Sequence, residues 1–320
     1  MLKVVIIGYG EMFNNMIAGT LDSGSKIVGV FRHDRVKYPR IIRWLKDIIN
    51  PDTDYSYIKS YKLHEIKAKS ANSERFRKQL LKLNPDIMIV ASWSEKLEKL
   101  TYNLPKTATL NIHPSLLPKY RGPNPYVQVI KNREKKSGVT IHLMDDNLDS
   151  GAILDQREVE ILSEDTGKEL KAKTALTARG AICELLQKMS EDVVFPVLQK
   201  EENATYFSND FDTDIDFSKP VEDTIAQIRA IHPWGRCYFY HNEVAISPNP
   251  YRLTVINSNT ENCQPGEIVS TDYNDKSITV ACTNGKLLRM GNIRLYGTYR
   301  RFLTKGYIRR VIKIGDILNS

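Results

Sequence analysis

Two side chains at the end of one short apolar run have the types and spacing for chemistry. Asn111 and His113 stand in an Asn-x-His arrangement directly after Ala108-Thr-Leu110. In an extended chain, side chains two residues apart point to the same face. An amide donor and an imidazole therefore project side by side. Such a pair can donate hydrogen bonds to an oxygen that gains negative charge, and the imidazole can carry a proton. Pro114, Pro118, Gly122, Pro123 and Pro125 then forbid regular structure over the next stretch. A second strand-like run, Gly138 to Met144, ends in an acidic turn holding Asp145, Asp146 and Asp149. That turn can bring a carboxylate against His113. On residue type alone, Asp145 and Asp146 read as solvated turn acids, His142 as a strand side chain and His232 as a packing residue.

The elements that must position this pair read as an α/β chain with a doubly wound, mostly parallel sheet. Residues 2–8 are an apolar run, read as a buried strand, followed by Gly8-Tyr-Gly10 and a helix from about Glu11 to Leu21. A strand, a glycine turn and a helix N-terminus make an anion site. The third glycine of a dinucleotide fingerprint is replaced by Phe13, so the first turn of a doubly wound sheet is preferred over a nicotinamide site. Strands are expected at 27–31, 86–91, 108–112 and 158–161, and helices at 73–83 and 166–190. Tyr55 to Tyr61 reads as a short strand or loop. Ser92, Trp93 and Ser94 follow the strand at 86–91, at its carboxyl end, where open α/β sheets bind ligands. From 32 to 48, Arg32, Arg35, Lys37, Arg40, Arg43 and Lys46 interleave with Ile41, Ile42, Trp44, Leu45 and Ile48. This is a surface helix with one apolar face, or a basic element that meets phosphates.

The chain has 320 residues, enough for two domains at roughly 100–200 residues each. An acidic, turn-rich linker at 206–216 separates a domain at 1–205 from one at 217–320. The second opens on a helix at 221–231 and continues as short alternating runs broken by Asn, Gly and Pro, which predicts a small antiparallel β-barrel. The apolar fraction of 41% suits a buried core. No apolar run approaches the ~20 residues of a membrane helix, and the N-terminus lacks the pattern of a secretory signal. The four cysteines are scattered without a Cys-x-x-Cys pair, which reads as free thiols in a reducing cytoplasm. A net charge of +8 permits a polyanionic partner.

Asn-x-His, then Ser-Leu-Leu-Pro-x-Tyr-Arg-Gly at 115–122, then Ser-Gly-Val-Thr-Ile-His-x-Met-Asp at 137–145 and Leu-Asp-x-Gly at 148–151 resemble the folate-dependent formyltransferases. The layout is nearest to the members that act on methionyl-tRNA or on amino-sugar nucleotides, including an Arg-Ala-x-x-Pro-Trp element at 229–234. The resemblance implies a Rossmann-like catalytic domain and an OB-like barrel. It places the catalytic Asn, His and Asp on Asn111, His113 and Asp149. It lines the pocket of the donor, 10-formyltetrahydrofolate, with Ser92, Trp93, Ser94, Ser115, Leu116, Leu117, Pro118, Met144, Asp145 and Asp146. Acceptor contacts fall on Arg32, Arg40, Arg43 and Arg121, the last equally suited to a structural ion pair.

The implied reaction is formyl transfer to a primary amine through a tetrahedral oxyanion. It needs no metal and no covalent enzyme intermediate. Asn111 and a protonated His113 are the oxyanion donors, and Asp149 orients the imidazole and moves the amine's proton. Methionyl-tRNA is the first acceptor and a 4-amino-4-deoxy sugar nucleotide the alternative. The region after the second strand lacks the glycine-rich loop of the tRNA enzymes, and Pro123-Asn-Pro-Tyr126 stands where they carry small residues. A formyltransferase-like protein that only binds, and a nicotinamide oxidoreductase resting on Gly8-x-Gly10, are the readings from other classes.

Overall fold

The first strand, β1 (Lys3–Gly8), is buried from Val4 to Ile7 on both faces, as a central parallel strand must be. It leads into α1 (Gly10–Asp22) and then β2 (Lys26–Arg32). Our computed structural model describes residues 1–32, 42, 54–257, 263–297 and 303–319. The greater part of the basic stretch at 32–48, with Arg40 and Arg43, lies outside the described residues. There follow α2 (Asp54–Ser60), α3 (Glu74–Leu83), β3 (Ile87–Ala91), α4 (Lys99–Tyr102), β4 (Ala108–His113), α5 (Pro125–Lys131), β5 (Lys136–Leu143), β6 (Ile153–Glu160) and α6 (Gly167–Ser190).

The sheet order is β2-β1-β3-β4-β5-β6. The first four strands run parallel, and β5 and β6 are antiparallel to their neighbours. Alternation along each strand divides the core in two. Val4, Ile6, Ile87, Ile89, Leu110, Ile112, Val139 and Ile141 pack with Met12, Phe13, Met16 and Ile17 of α1 and with Ala178, Ile182 and Leu185 of α6. Val5, Ile7, Met88 and Val90 pack with Phe76 and Leu80 of α3 on the other face. Ser73 starts α3 by accepting a hydrogen bond from Phe76 N at 3.3 Å, and Asn84 ends it in the left-handed conformation.

Of residues 55–61, expected as strand or loop, Tyr61 lies in a turn and 55–60 belong to the helix α2 instead. Its Ile58 is buried, and Asp54 in its first turn suits the positive end of the helix dipole. Both Asp54 carboxylate oxygens accept from Gly10 N at 2.9 Å. The chain thus fills the glycine-turn anion position with its own carboxylate. Burial holds the Asp54 carboxyl above the usual range.

Contacts divide the chain into two units. One comprises Met1–Pro125, Lys136–Glu160 and Lys171–Ser208; the other comprises Tyr126–Lys135, Ile161–Leu170 and Asn209–Ser320. Two early segments therefore join the later unit, which a single boundary at 206–216 does not contain. One reason is aromatic packing: the Tyr126 ring stacks on Trp234 at 5.4 Å. The second unit holds α7 (Val221–Ile231) and two antiparallel sheets. One pairs β7 (Phe239–His241), β8 (Val244–Ser247) and β13 (Arg294–Leu295). The other has the order β10-β11-β12-β9, from β9 (Leu253–Asn257), β10 (Ile268–Asp272), β11 (Ser277–Ala281) and β12 (Lys286–Met290). A last helix, α8 (Thr304–Arg310), follows. Among the described residues, no helix is long and apolar enough to cross a membrane. Cys183, Cys237, Cys263 and Cys282 are free, and burial raises the thiol of Cys237 to about 12.

Candidate active site

Leu110 and Ile112 of β4 face the α1 and α6 side of the sheet, so alternation sends Asn111 and His113 to the other face. The antiparallel register of β4 and β5 sets Asn111 opposite His142 and His113 opposite Thr140. The turn after β5 brings Asp149 back to this face. Its carboxylate is buried and shared: Oδ1 accepts from Asn111 Nδ2 at 3.2 Å, and Oδ2 lies 3.5 Å from His113 Nδ1 and accepts from Gly122 N at 2.9 Å. The other ring nitrogen of His113, Nε2, is 2.8 Å from the Tyr120 carbonyl. A carbonyl only accepts, so Nε2 carries a proton and Nδ1 is the nitrogen turned to the carboxylate.

His142 is the site residue that sequence reasoning missed. Its Nδ1 donates to the Leu143 carbonyl at 2.8 Å, which leaves Nε2 as an acceptor for Asn111 Nδ2 at 3.1 Å. The tautomer of one side chain and the amide orientation of the other fix each other. Burial pushes the His142 imidazole down to about 4, against a smaller upward pull from Asp149. A neutral ring is what the geometry requires. The missed signal was register: a histidine on the strand paired with the Asn-x-His strand, in phase with the asparagine.

Asp149 sits at a φ of 54°, a left-handed conformation that costs a non-glycine residue roughly 1–2 kcal/mol. Gly151, two residues on, is required for a different reason. A Cβ there would collide with the Leu143 carbonyl oxygen, across which the turn closes. The Leu-Asp-x-Gly spacing thus encodes a turn tight enough to return the carboxylate to the strand it left.

A family model described as formyl transferase matches residues 2–186, and one described as formyl transferase, C-terminal domain, matches residues 209–299. The chain belongs to the formyl transferase family. Among relatives of this formyl transferase, a methionyl-tRNA formyltransferase of Buchnera aphidicola subsp. Acyrthosiphon pisum is 32% identical over 251 residues, 77% of this chain and 78% of the relative. A methionyl-tRNA formyltransferase of Bacillus velezensis is 27% identical over 323 residues, covering 100% of this chain and 98% of the relative. Among solved structures, the fold is similar to an N-formyltransferase from Helicobacter canadensis in complex with folinic acid and dTDP-3-aminofucose. The TM-score there is 0.68 at 19% identity, over 92% of this chain and 100% of the other.

The remaining expected site residues of this formyl transferase fall into three groups. Ser92, Trp93 and Ser94 follow β3, whose Ala91 pairs with Ile112, so they share the carboxyl edge of the sheet with His113. The Trp93 ring packs on Phe31 at 5.4 Å. Met144 packs, like Trp93, against the core on the α3 side, but its N–H is bonded to Thr109 O at 2.9 Å, which sets it at the amino end of β4, the opposite end from His113. Leu116 and Pro118 are half-buried in the loop after β4.

A second group makes hydrogen bonds that brace the loops around the site. Ser115 is fully buried, and its hydroxyl donates to Lys119 O at 2.8 Å. Leu117 is buried, with its N–H on Thr140 Oγ1 and its carbonyl accepting from Gln156 Nε2. Asp145 accepts from Ser150 Oγ and Asn147 N, and Asp146 accepts from Tyr102 Oη and Lys99 Nζ. Asp145 thus closes the turn on itself, and Asp146 ties the turn to α4.

Third, the described arginines expected at the acceptor are committed within the fold. Arg32 Nε lies 2.6 Å from Glu65 Oε1, and its guanidinium covers the Tyr55 ring. Arg121 is buried and bonded through both Nη atoms to Glu201, with Nε and Nη2 on Gln199 Oε1. The Glu201 ion pair matches the structural one of the two roles expected for that guanidinium. Among the described residues, no group of three or more His, Cys, Asp or Glu side chains is arranged to hold a metal ion.

Proposed function

We propose that the protein transfers the formyl group of 10-formyltetrahydrofolate to a primary amine, with methionyl-tRNA as acceptor. The observation that carries this reading is one buried carboxylate shared by Asn111 and His113. The amine attacks the formyl carbon, a C–N bond forms, and the carbonyl oxygen becomes an oxyanion. Asn111 Nδ2 is 3.2 Å from Asp149 Oδ1, at the long end of hydrogen-bond range. An incoming oxygen can take that N–H from the carboxylate, while the carboxylate takes the ammonium proton. A donor of this kind contributes roughly 100- to 1000-fold in rate. The folate nitrogen leaves with a proton returned through Asp149 and His113. The chain's own groups thus supply both proton transfer and charge stabilisation.

The acceptor is proposed from the relatives, which match over most or all of the chain and are methionyl-tRNA formyltransferases. Free thiols and the absence of a membrane-spanning helix among the described residues suit a cytoplasmic enzyme. A 4-amino sugar nucleotide is the second reading, favoured by Pro123-Asn-Pro-Tyr126 and by a basic stretch at 32–48 without a glycine-rich loop. Purified enzyme is offered 10-formyltetrahydrofolate with each acceptor. Formylation of methionyl-tRNA that weakens steeply with added salt supports the first. Turnover of the sugar nucleotide alone replaces it with the second. Turnover of neither, with donor binding retained, favours a binding protein.

A further inference from the structure

The segment from Val197 to Phe207 lies between the two stretches that match the family, 2–186 and 209–299. It straps the two loops that aim His113 and Asp149. On one side, Gln199 Nε2 donates to the backbone carbonyls of Asp149 at 2.9 Å and Gly151 at 2.8 Å. Tyr206 Oη donates to Leu148 O at 2.7 Å. On the other side, Tyr120 N donates to Thr205 Oγ1, Arg121 N donates to Thr205 O, and Phe207 N donates to Arg121 O. The Phe207 ring stacks on Tyr120 at 5.3 Å. Gly122 at φ 117° admits the strap, because a Cβ there would strike the Phe207 carbonyl.

Gln199 is where the two sides meet. Its Nε2 faces two carbonyls, which only accept, and its Oε1 faces Arg121, which only donates, so the amide has one orientation. Arg121 is itself fixed by Glu201. The neighbours of Arg121 carry the two groups that meet the site: the Tyr120 carbonyl receives His113 Nε2, and the Gly122 N–H binds Asp149 Oδ2. A chain of bonds therefore runs from Glu201 through Arg121 and Gln199 to the backbone of Asp149.

We propose that Gln199 is a positioning residue for formyl transfer, holding the left-handed backbone of Asp149 so that one carboxylate meets both Asn111 and His113. This rests on the catalytic reading above. The relevant reasoning is geometric, since a misplacement of about 1 Å at a reacting group can cost ~100-fold in rate.

The test compares Q199M, Q199E, Tyr206→Phe and His113→Asn, each assayed with whichever acceptor the wild type turns over, methionyl-tRNA or the 4-amino sugar nucleotide. Q199M has a similar reach and no donor. Q199E keeps the Arg121 contact and loses both donors to the turn. Both are expected to lower kcat at least about tenfold with either KM within about threefold, at circular dichroism amplitudes equal to wild type, which excludes loss of folded protein as the source of the fall in kcat. Tyr206→Phe, a half-exposed hydroxyl loss that leaves folding intact, is expected to lower kcat a few-fold, roughly. Long-range 1H–15N spectra of labelled histidine, assigned by the signal missing in His113→Asn, are expected to show the His113 ring altered in Q199M and Q199E. Unchanged kcat and an unchanged His113 signal in both Gln199 variants, with His113→Asn inactive, overturn the positioning role alone. Full activity in His113→Asn overturns the catalytic reading beneath it.

Discussion

Asn111 and His142 face each other across the antiparallel pair of β4 and β5, amide nitrogen to ring Nε2 at 3.1 Å. The histidine is buried and neutral, and together with Asp149 Oδ1 it sets which way the amide points. Replacing it by leucine leaves the Asn111 amide held by Asp149 Oδ1 alone. His142→Leu is expected to lower kcat by about tenfold or more with little change in KM, as for a lost orienting contact. Steady-state kinetics with both substrates varied checks this.

The same histidine gives the fold an acid dependence. Its folded pKa is depressed to about 4 by burial, against an ordinary value near 6.5. Between those values the unfolded chain binds a proton that the native chain refuses, so stability is complete above pH 6.5 and falls as pH drops toward 4. The slope from this one group is at most roughly 1.4 kcal/mol per pH unit. Asp149, His113 and Asp145 bear on the same ring, so the comparison with His142→Leu isolates its share. Urea unfolding at pH 7 and pH 5 is expected to show a larger loss in wild type than in the variant.

Asp149→Asn preserves shape and removes the carboxylate proposed as the base. It is expected to reduce kcat by about 100- to 10,000-fold, the range for general acid–base transfer. Circular dichroism and donor binding by fluorescence separate this from unfolding; donor affinity within about threefold of wild type is expected.

Gly151→Ala places a methyl against the Leu143 carbonyl. The turn must open to admit it, at a cost of roughly 1–3 kcal/mol for overpacking, and Asp149 moves with the turn. A lowered thermal midpoint together with a lowered kcat is expected. A variant with both at wild-type values would show that the turn yields without strain.

Asp54→Ala strips the two bonds that cap Gly10 N and is expected to destabilise by about 1–2 kcal/mol, the penalty for an unsatisfied backbone donor. Asp54→Asn retains an acceptor and loses less. Urea titration of the two variants ranks them. A fluorescence titration of the wild type with NADH is expected to stay flat, since a carboxylate already stands where a phosphate would bind.

What was legible in the sequence follows from local rules. The apolar runs at 2–8 and 86–91 announce buried parallel strands, and the amphipathic period from Ser73 to Leu83, stopped by Pro85, announces a helix. Asn111 and His113 were readable from their spacing of two, whereas Asp149 was picked from the three acids of the turn by the resemblance of Leu148-Asp-x-Gly151 to the family's motif. Less was legible where long-range partners decide. Nothing adjacent in sequence says that Arg121 meets Glu201, eighty positions later, or that Ser115 turns inward. The aromatic run at 55–61 has no strand or helix period strong enough to choose, and Ile58 burial with Asp54 at the first turn tips it to helix.

The parity of β4 has an evolutionary corollary. Leu110 and Ile112 insert among the core residues while Asn111 and His113 take the opposite face. Losing or gaining one codon between the start of that strand and Asn111 would exchange the two sets, driving an amide and an imidazole into hydrocarbon and leaving two aliphatic groups where the reaction occurs. Lineages carrying this enzyme should therefore tolerate length variation in the exposed connection before the strand and in the turn tips, while the strand itself keeps its count.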